Sequence, residues 1–136
     1  MTVTVLKTDT RFSDGRRIVL DENERLLNSV AAEQWDRAGS LITNARTVFV
    51  IGNGRSGLAT QMAAMRLMHL GLRVHVAGEV TAPAIGAGDL LIAVSGSGTT
   101  AAVVGAADTA RKVGASVLAV TKIGRASGRE RVCLAV

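Results

Sequence analysis

Leu90–Thr100 reads LLIAVSGSGTT, an apolar run that stops at six small residues, four of them hydroxyl-bearing. Leu90–Val94 shows no polar alternation, the pattern of a strand covered on both faces of a parallel sheet. The turn then opens a helix near Thr100, with Ala102, Val103, Ala106, Ala107 and Ala110 at helical spacing and Arg111 and Lys112 in the last turn. The first N–H groups of that helix, and its positive dipole end, face the turn. Gly96 and Gly98 let backbone approach a ligand, and Ser95, Ser97, Thr99 and Thr100 add side-chain donors, so the natural guest is an anion. A plain turn in which Thr99 or Thr100 caps the helix uses one hydroxyl and leaves three unexplained.

Outward from this stretch the same unit recurs. Thr47–Ile51 reads as a buried strand that breaks into GNGRSG at 52–57, followed by a helix, LATQMAAMRLMHLG, that Gly71 ends. RVHVAGE at 73–79 is a short second strand, and the loop after it, VTAPAIGAGD, holds Pro83, the single proline. Beyond Gly114, Ser116–Thr121 forms a fourth strand. Upstream, Asp21 or Asn23 caps a first helix running to about Asn44, with Leu26, Leu27, Val30, Trp35, Ala38, Leu41 and Ile42 on its apolar face. The order predicts an α/β fold: an open parallel sheet with flanking helices and right-handed crossovers. Ligands of such sheets bind outside the carboxyl ends of the strands, where both glycine turns fall.

Composition narrows the function. The 136 residues, 48% hydrophobic, suit one core and one domain. Aromatic residues make up 2% of the chain, which argues against a stacking platform for single-stranded nucleic acid. The formal charge of +5 is uneven: residues 1–121 carry 12 basic against 10 acidic side chains, and 122–136 carry 4 against 1. The body is therefore close to balanced and gives no reason to expect a nucleic-acid partner. No signal-peptide pattern and no long uncharged apolar run occurs, so the expectation is a cytoplasmic chain with no membrane partner. Cys133 is the only cysteine, which leaves neither a disulfide framework nor a thiol metal cluster.

GNGRSG also satisfies G-x-G-x-x-G between a strand and a helix, with Glu79 near the place of a ribose-binding acid, so a dinucleotide site is a genuine alternative. A dinucleotide needs one phosphate loop, however, and this chain has two. Ser56 on one and Ser95 and Ser97 on the other suit a clamp on a single phosphomonoester.

GNGRSG, AMRLMHLG, GEVTAPAI, GDLLIAVSGSGTT and VGASVLAVT, in that order across residues 47–121, resemble the 6-phospho-3-hexuloisomerases of the SIS (sugar isomerase) domain superfamily. The resemblance implies a Rossmann-like SIS fold over 1–121, with a helical segment at about 21–44. It also implies isomerisation of D-arabino-3-hexulose 6-phosphate to fructose 6-phosphate, a step of formaldehyde fixation in the ribulose monophosphate pathway. Arg55 and Ser56, with Ser95, Gly96, Ser97, Gly98, Thr99 and Thr100, correspond to phosphate and sugar contacts. The chemistry implied moves a carbonyl from C3 to C2 through a 2,3-enediolate, with a base acting at C2 and no metal or redox cofactor. Homo-oligomers, commonly tetramers, are implied as well.

In that family the base is a glutamate on a helix beyond the fourth strand, and no matching segment is present. Glu79 and His69 are weak substitutes: Glu79 is equally a loop-anchoring carboxylate, and His69 a helix-face histidine that packs, or else approaches a neighbouring subunit. His75, alternating with Val74 and Val76, faces solvent on this reading, and Arg55 either assists the anion or pairs with a carboxylate. IGRASGRERV at 123–132 departs from the Ala-rich style before it, and differs at Gly128 alone from one translated frame of a common sequencing adapter. The expectation is that 122–136 is a non-native tail, that the fold is incomplete at its carboxyl end with the fourth strand's edge unpaired, and that the chain is an inactive or weak isomerase. A non-catalytic sugar-phosphate sensor is the alternative within the same superfamily.

Overall fold

A computed structural model describes residues 10–124 and 130–135. The elements run α1 (Thr10–Asn28), α2 (Ala32–Asn44), β1 (Val48–Gly52), α3 (Gly54–His69), β2 (Val74–Val76), β3 (Leu90–Ser95), α4 (Ala101–Lys112), β4 (Ser116–Gly124) and β5 (Glu130–Ala135). One sheet orders them β2-β1-β3-β4-β5. The first four strands are parallel, with Val48 opposite both Val74 and Leu90, and Leu90 opposite Ser116.

The apolar strands bury both faces, as a parallel sheet requires. On one face Val48 and Val50 pack against Ala64 of α3, while Leu90 and Leu118 meet Ala38 of α2 and Val30. On the other, Phe49, Leu91, Ala93 and Val117 pack against Val103 and Ala110 of α4. The opposite sides of α3 and α4 follow from right-handed crossovers running to opposite ends of the sheet, from β1 to β2 and from β3 to β4.

Three expectations are corrected. The upstream segment is two helices rather than one from Asp21 or Asn23, and the break lies at Ser29–Ala31. Ser29 Oγ donates to the Leu26 carbonyl at 2.7 Å, and the Ser29 and Val30 N–H groups bond back three residues, tightening the last turn. Val30 is thereby buried, and α2 restarts with the Ala31 N–H donating to Gln34 Oε1 at 3.2 Å. Continuous periodicity hid this, since Val30 fits the apolar face of an unbroken helix. Second, the edge of β4 is paired: β5 runs antiparallel to it, with Thr121 opposite Cys133 and Gly124 opposite Glu130. Residues 122–124 thus extend β4 and 130–135 form its neighbour, while 125–129 and 136 of the expected tail lie outside the described residues. Third, His75 is half-buried, its ring 5.6 Å from that of Phe49, its cross-strand partner.

At the amino edge of the sheet, Asp89 is buried and accepts from Arg46 Nε and Nη2, both at 3.0 Å, and from the Gly86 N–H at 2.8 Å. The Arg46 hydrogen bonds hold its carboxyl below the usual range against the opposing effect of burial. This pair fixes the return of the chain from β2 to β3, the one crossover between parallel strands made without a helix.

Candidate functional site at the carboxyl edge

From β1 the chain turns toward β2, and from β3 it turns the other way toward β4, so the topological switch point lies between β1 and β3. Those strands are adjacent, with Gly52 opposite Val94. The two glycine turns therefore leave the sheet about one strand spacing, ~4.8 Å, apart. They lead into α3 and α4 on opposite faces. The crevice between is flanked by two helix N-termini, each offering unbonded N–H groups and a partial positive charge.

The first turn is built by close approach. A Cβ on Gly52 would come 2.9 Å from the Ser56 backbone, one on Gly57 would come 2.7 Å from the Gly52 carbonyl oxygen, and Gly54 has φ +55°. These glycines serve the strand-to-helix junction itself, so the G-x-G-x-x-G spacing is explained without a dinucleotide. Arg55 is exposed in the first turn of α3, and Ser56 is half-buried beside it.

The second turn is a hydroxyl network. Ser95, at the end of β3, is buried; its Oγ lies 3.0 Å from Thr100 Oγ1 and accepts the Gly98 N–H at 3.1 Å. Ser97 Oγ accepts from the Thr99 N–H at 3.2 Å and from Thr99 Oγ1 at 3.0 Å. Thr100 occupies the N-cap position of α4, but its hydroxyl bonds Ser95 and not the helix. The capping reading is thus left without its hydrogen bond, and the Thr100 carbonyl instead accepts from the Val103 and Val104 N–H groups at 2.9 and 3.0 Å. Gly96–Thr99 are exposed, and Gly98 sits at φ +70°, where a side chain would be strained.

The sheet thus brings Arg55, Ser56 and the run Ser95–Thr100 to one edge. Glu79 follows β2 at the same edge, but it borders a separate, largely apolar hollow of about 310 Å³ lined by Phe49, Pro83, Ile85, Leu91 and Ala106. His69 ends α3 at the opposite edge, about 20 Å from Ser56 along the helix, so within one chain the two do not meet. Sequence reasoning passed over Thr121. In β4 its Cα pairs with that of Ser95 in β3, and the apolar runs LIAV and LAV each end in a hydroxyl residue, which was the signal available.

The SIS domain profile matches residues 41–127, more than half of the chain and the whole of this crevice. The chain belongs to the SIS domain family. Among SIS relatives, the 3-hexulose-6-phosphate isomerase of Mycobacterium gastri is 54% identical over 104 residues, covering 76% of this chain and 52% of that protein. The 3-hexulose-6-phosphate isomerase of Bacillus subtilis is 36% identical over 103 residues, covering 76% and 56%. A Methanococcus jannaschii protein, whose crystal structure infers a molecular function of 3-hexulose-6-phosphate isomerase, superposes with a TM-score of 0.64 at 38% identity, covering 65% of this chain and 50% of that one. The chain spans about half the length of the relatives it matches. Among the described residues, no helix is long and apolar enough to cross a membrane.

Proposed function

We propose that this chain carries the sugar-phosphate-binding part of a 6-phospho-3-hexuloisomerase, which interconverts D-arabino-3-hexulose 6-phosphate and fructose 6-phosphate. The observation that carries the reading is the switch-point crevice, where a Ser/Thr network and two helix N-termini converge. Such a site suits a phosphate dianion, because amide and hydroxyl donors and the dipole ends stabilise negative charge in place of water. The similarity to proteins named 3-hexulose-6-phosphate isomerase supports the same ligand class.

In this account the remote phosphate, held by Ser56 and Ser95–Thr100, fixes the open-chain sugar so that C2 and C3 lie over the crevice. Binding energy gained there is used to position the reacting carbons. A base removes the C2 proton, the 2,3-enediolate forms, and the proton returns to C3 as the C2 carbonyl appears. Donors near the enediolate lower the barrier to its formation. The base is assigned, as the family resemblance implies, to a glutamate beyond the fourth strand in chains of the relatives' length.

Assembly belongs to the same proposal. Leu58, Met62 and Met65 are 64%, 70% and 56% exposed and recur on one side of α3 at the spacing of a helix–helix seam. An antiparallel pairing of two α3 helices would cover that stripe and set His69 of one copy beside the start of α3 in the other.

The test is an assay of hexulose 6-phosphate conversion by this chain and by one extended to the relatives' length. The expected result is sugar-phosphate binding by both and turnover by the extended chain. Equal turnover by the two would place the base within residues 1–121, with Glu79 the first to examine. No conversion by the extended chain would refute the assignment of the reaction.

A further inference from the structure

On the face of the sheet that α4 covers, side chains alternate so that Leu91, Ala93 and Ser95 of β3 stand beside Val117, Ala119 and Thr121 of β4. Thr121 is thus the neighbour of Ser95 beneath the start of α4. A Cβ built on Gly98 would lie 3.1 Å from Thr121 Oγ1, so that hydroxyl fills the space a side chain of the loop would otherwise take. The backbone holds it there, since the Lys122 N–H donates to the Gly96 carbonyl at 3.3 Å. Within the loop, Ser95 Oγ already serves Gly98 and Thr100, and Ser97 Oγ serves Thr99 twice. Thr121 is half-buried, and among the described residues its hydroxyl takes part in no hydrogen bond.

We propose that Thr121 is a ligand-binding residue of the phosphate cradle, its hydroxyl donating to a phosphate oxygen held over Gly98 at the N-terminus of α4. A hydroxyl oriented into a loop of donors, and unspent on that loop, is the group an anion can recruit without breaking an existing bond. β4 then contributes directly to the site, which makes the crevice three strands wide. This inference rests on the sugar-phosphate reading of the same crevice.

The experiment compares the affinities of the unmodified chain, Thr121→Val, Thr121→Ser and Ser97→Ala for fructose 6-phosphate and for inorganic phosphate by calorimetry, with folding checked by thermal melts. Thr121→Val should weaken both ligands about ten- to a hundredfold, the range for loss of one hydrogen bond to a charged oxygen. Thr121→Ser, which keeps the hydroxyl and drops the methyl, should stay within about twofold. If Ser97→Ala weakens binding and Thr121→Val does not, the proposal is overturned and the sugar-phosphate reading stands. If Thr121→Ser loses as much as Thr121→Val, the methyl and not the hydroxyl matters, and the proposal is again overturned. If the unmodified chain binds neither ligand, the reading of the whole crevice fails and this inference with it.

Discussion

Gly52 and Gly57 meet so closely that the carbonyl of one occupies the place of a side chain on the other. Gly57→Ala should therefore cost about 1–3 kcal/mol, because the contact is with backbone that cannot swing aside. Gly39 is the contrast: it lies within α2 with nothing near its Cβ position, and Gly39→Ala should add about 0.5–1 kcal/mol. Urea denaturation of the two variants checks both signs. At the second loop, Ser95→Ala removes the partner of both Thr100 Oγ1 and the Gly98 N–H and should cost about 1–3 kcal/mol in stability, read from the same curves. Ser97→Ala lies at the exposed rim and should act on binding, weakening fructose 6-phosphate by about 1.5–3 kcal/mol, while Thr109→Ala on the far part of α4 leaves binding unchanged. The hydroxyls were legible in the sequence because they interrupt an apolar run. Their mutual bonding was not, since it depends on the turn geometry that a positive φ at Gly98 creates.

Among the elements, strands and crossover helices were legible where an apolar run ended in glycine, as at Gly52 and Gly71. The gap between α1 and α2 was hidden because Val30 satisfies the helical period while standing outside both helices. The long return from β2 to β3 likewise gave no sign of its anchor, for the Arg46–Asp89 pair joins residues 43 positions apart. Because the native carboxyl of Asp89 titrates below its ordinary value near 4, its stabilising contribution is present above that value. It is lost as pH falls through the lowered native value. Asp89→Asn should therefore flatten the acid limb of a stability–pH profile, with little change in the slope between pH 6 and 8; an unchanged acid limb would show that the pair does not govern the return of the chain. The outer stripe of α3 makes a separate prediction. Met62→Lys together with Met65→Lys should shift the protein toward monomer in sedimentation velocity, whereas an unchanged assembly state would move the interface elsewhere.

At the scale of the molecule, the order β2-β1-β3-β4 sets the two glycine turns back to back at one edge, and every part of the functional account depends on that edge. A dinucleotide and a sugar phosphate make opposite demands on it: one uses a single loop and a ribose acid, the other uses both loops together. Thermal unfolding with fructose 6-phosphate, fructose and NAD, each in a separate titration, tests this most directly. A ligand at about 100 times its Kd raises stability by about 2.7 kcal/mol. Such a rise is predicted for fructose 6-phosphate and is absent for fructose and for NAD. Stabilisation by NAD with none by fructose 6-phosphate would contradict the account.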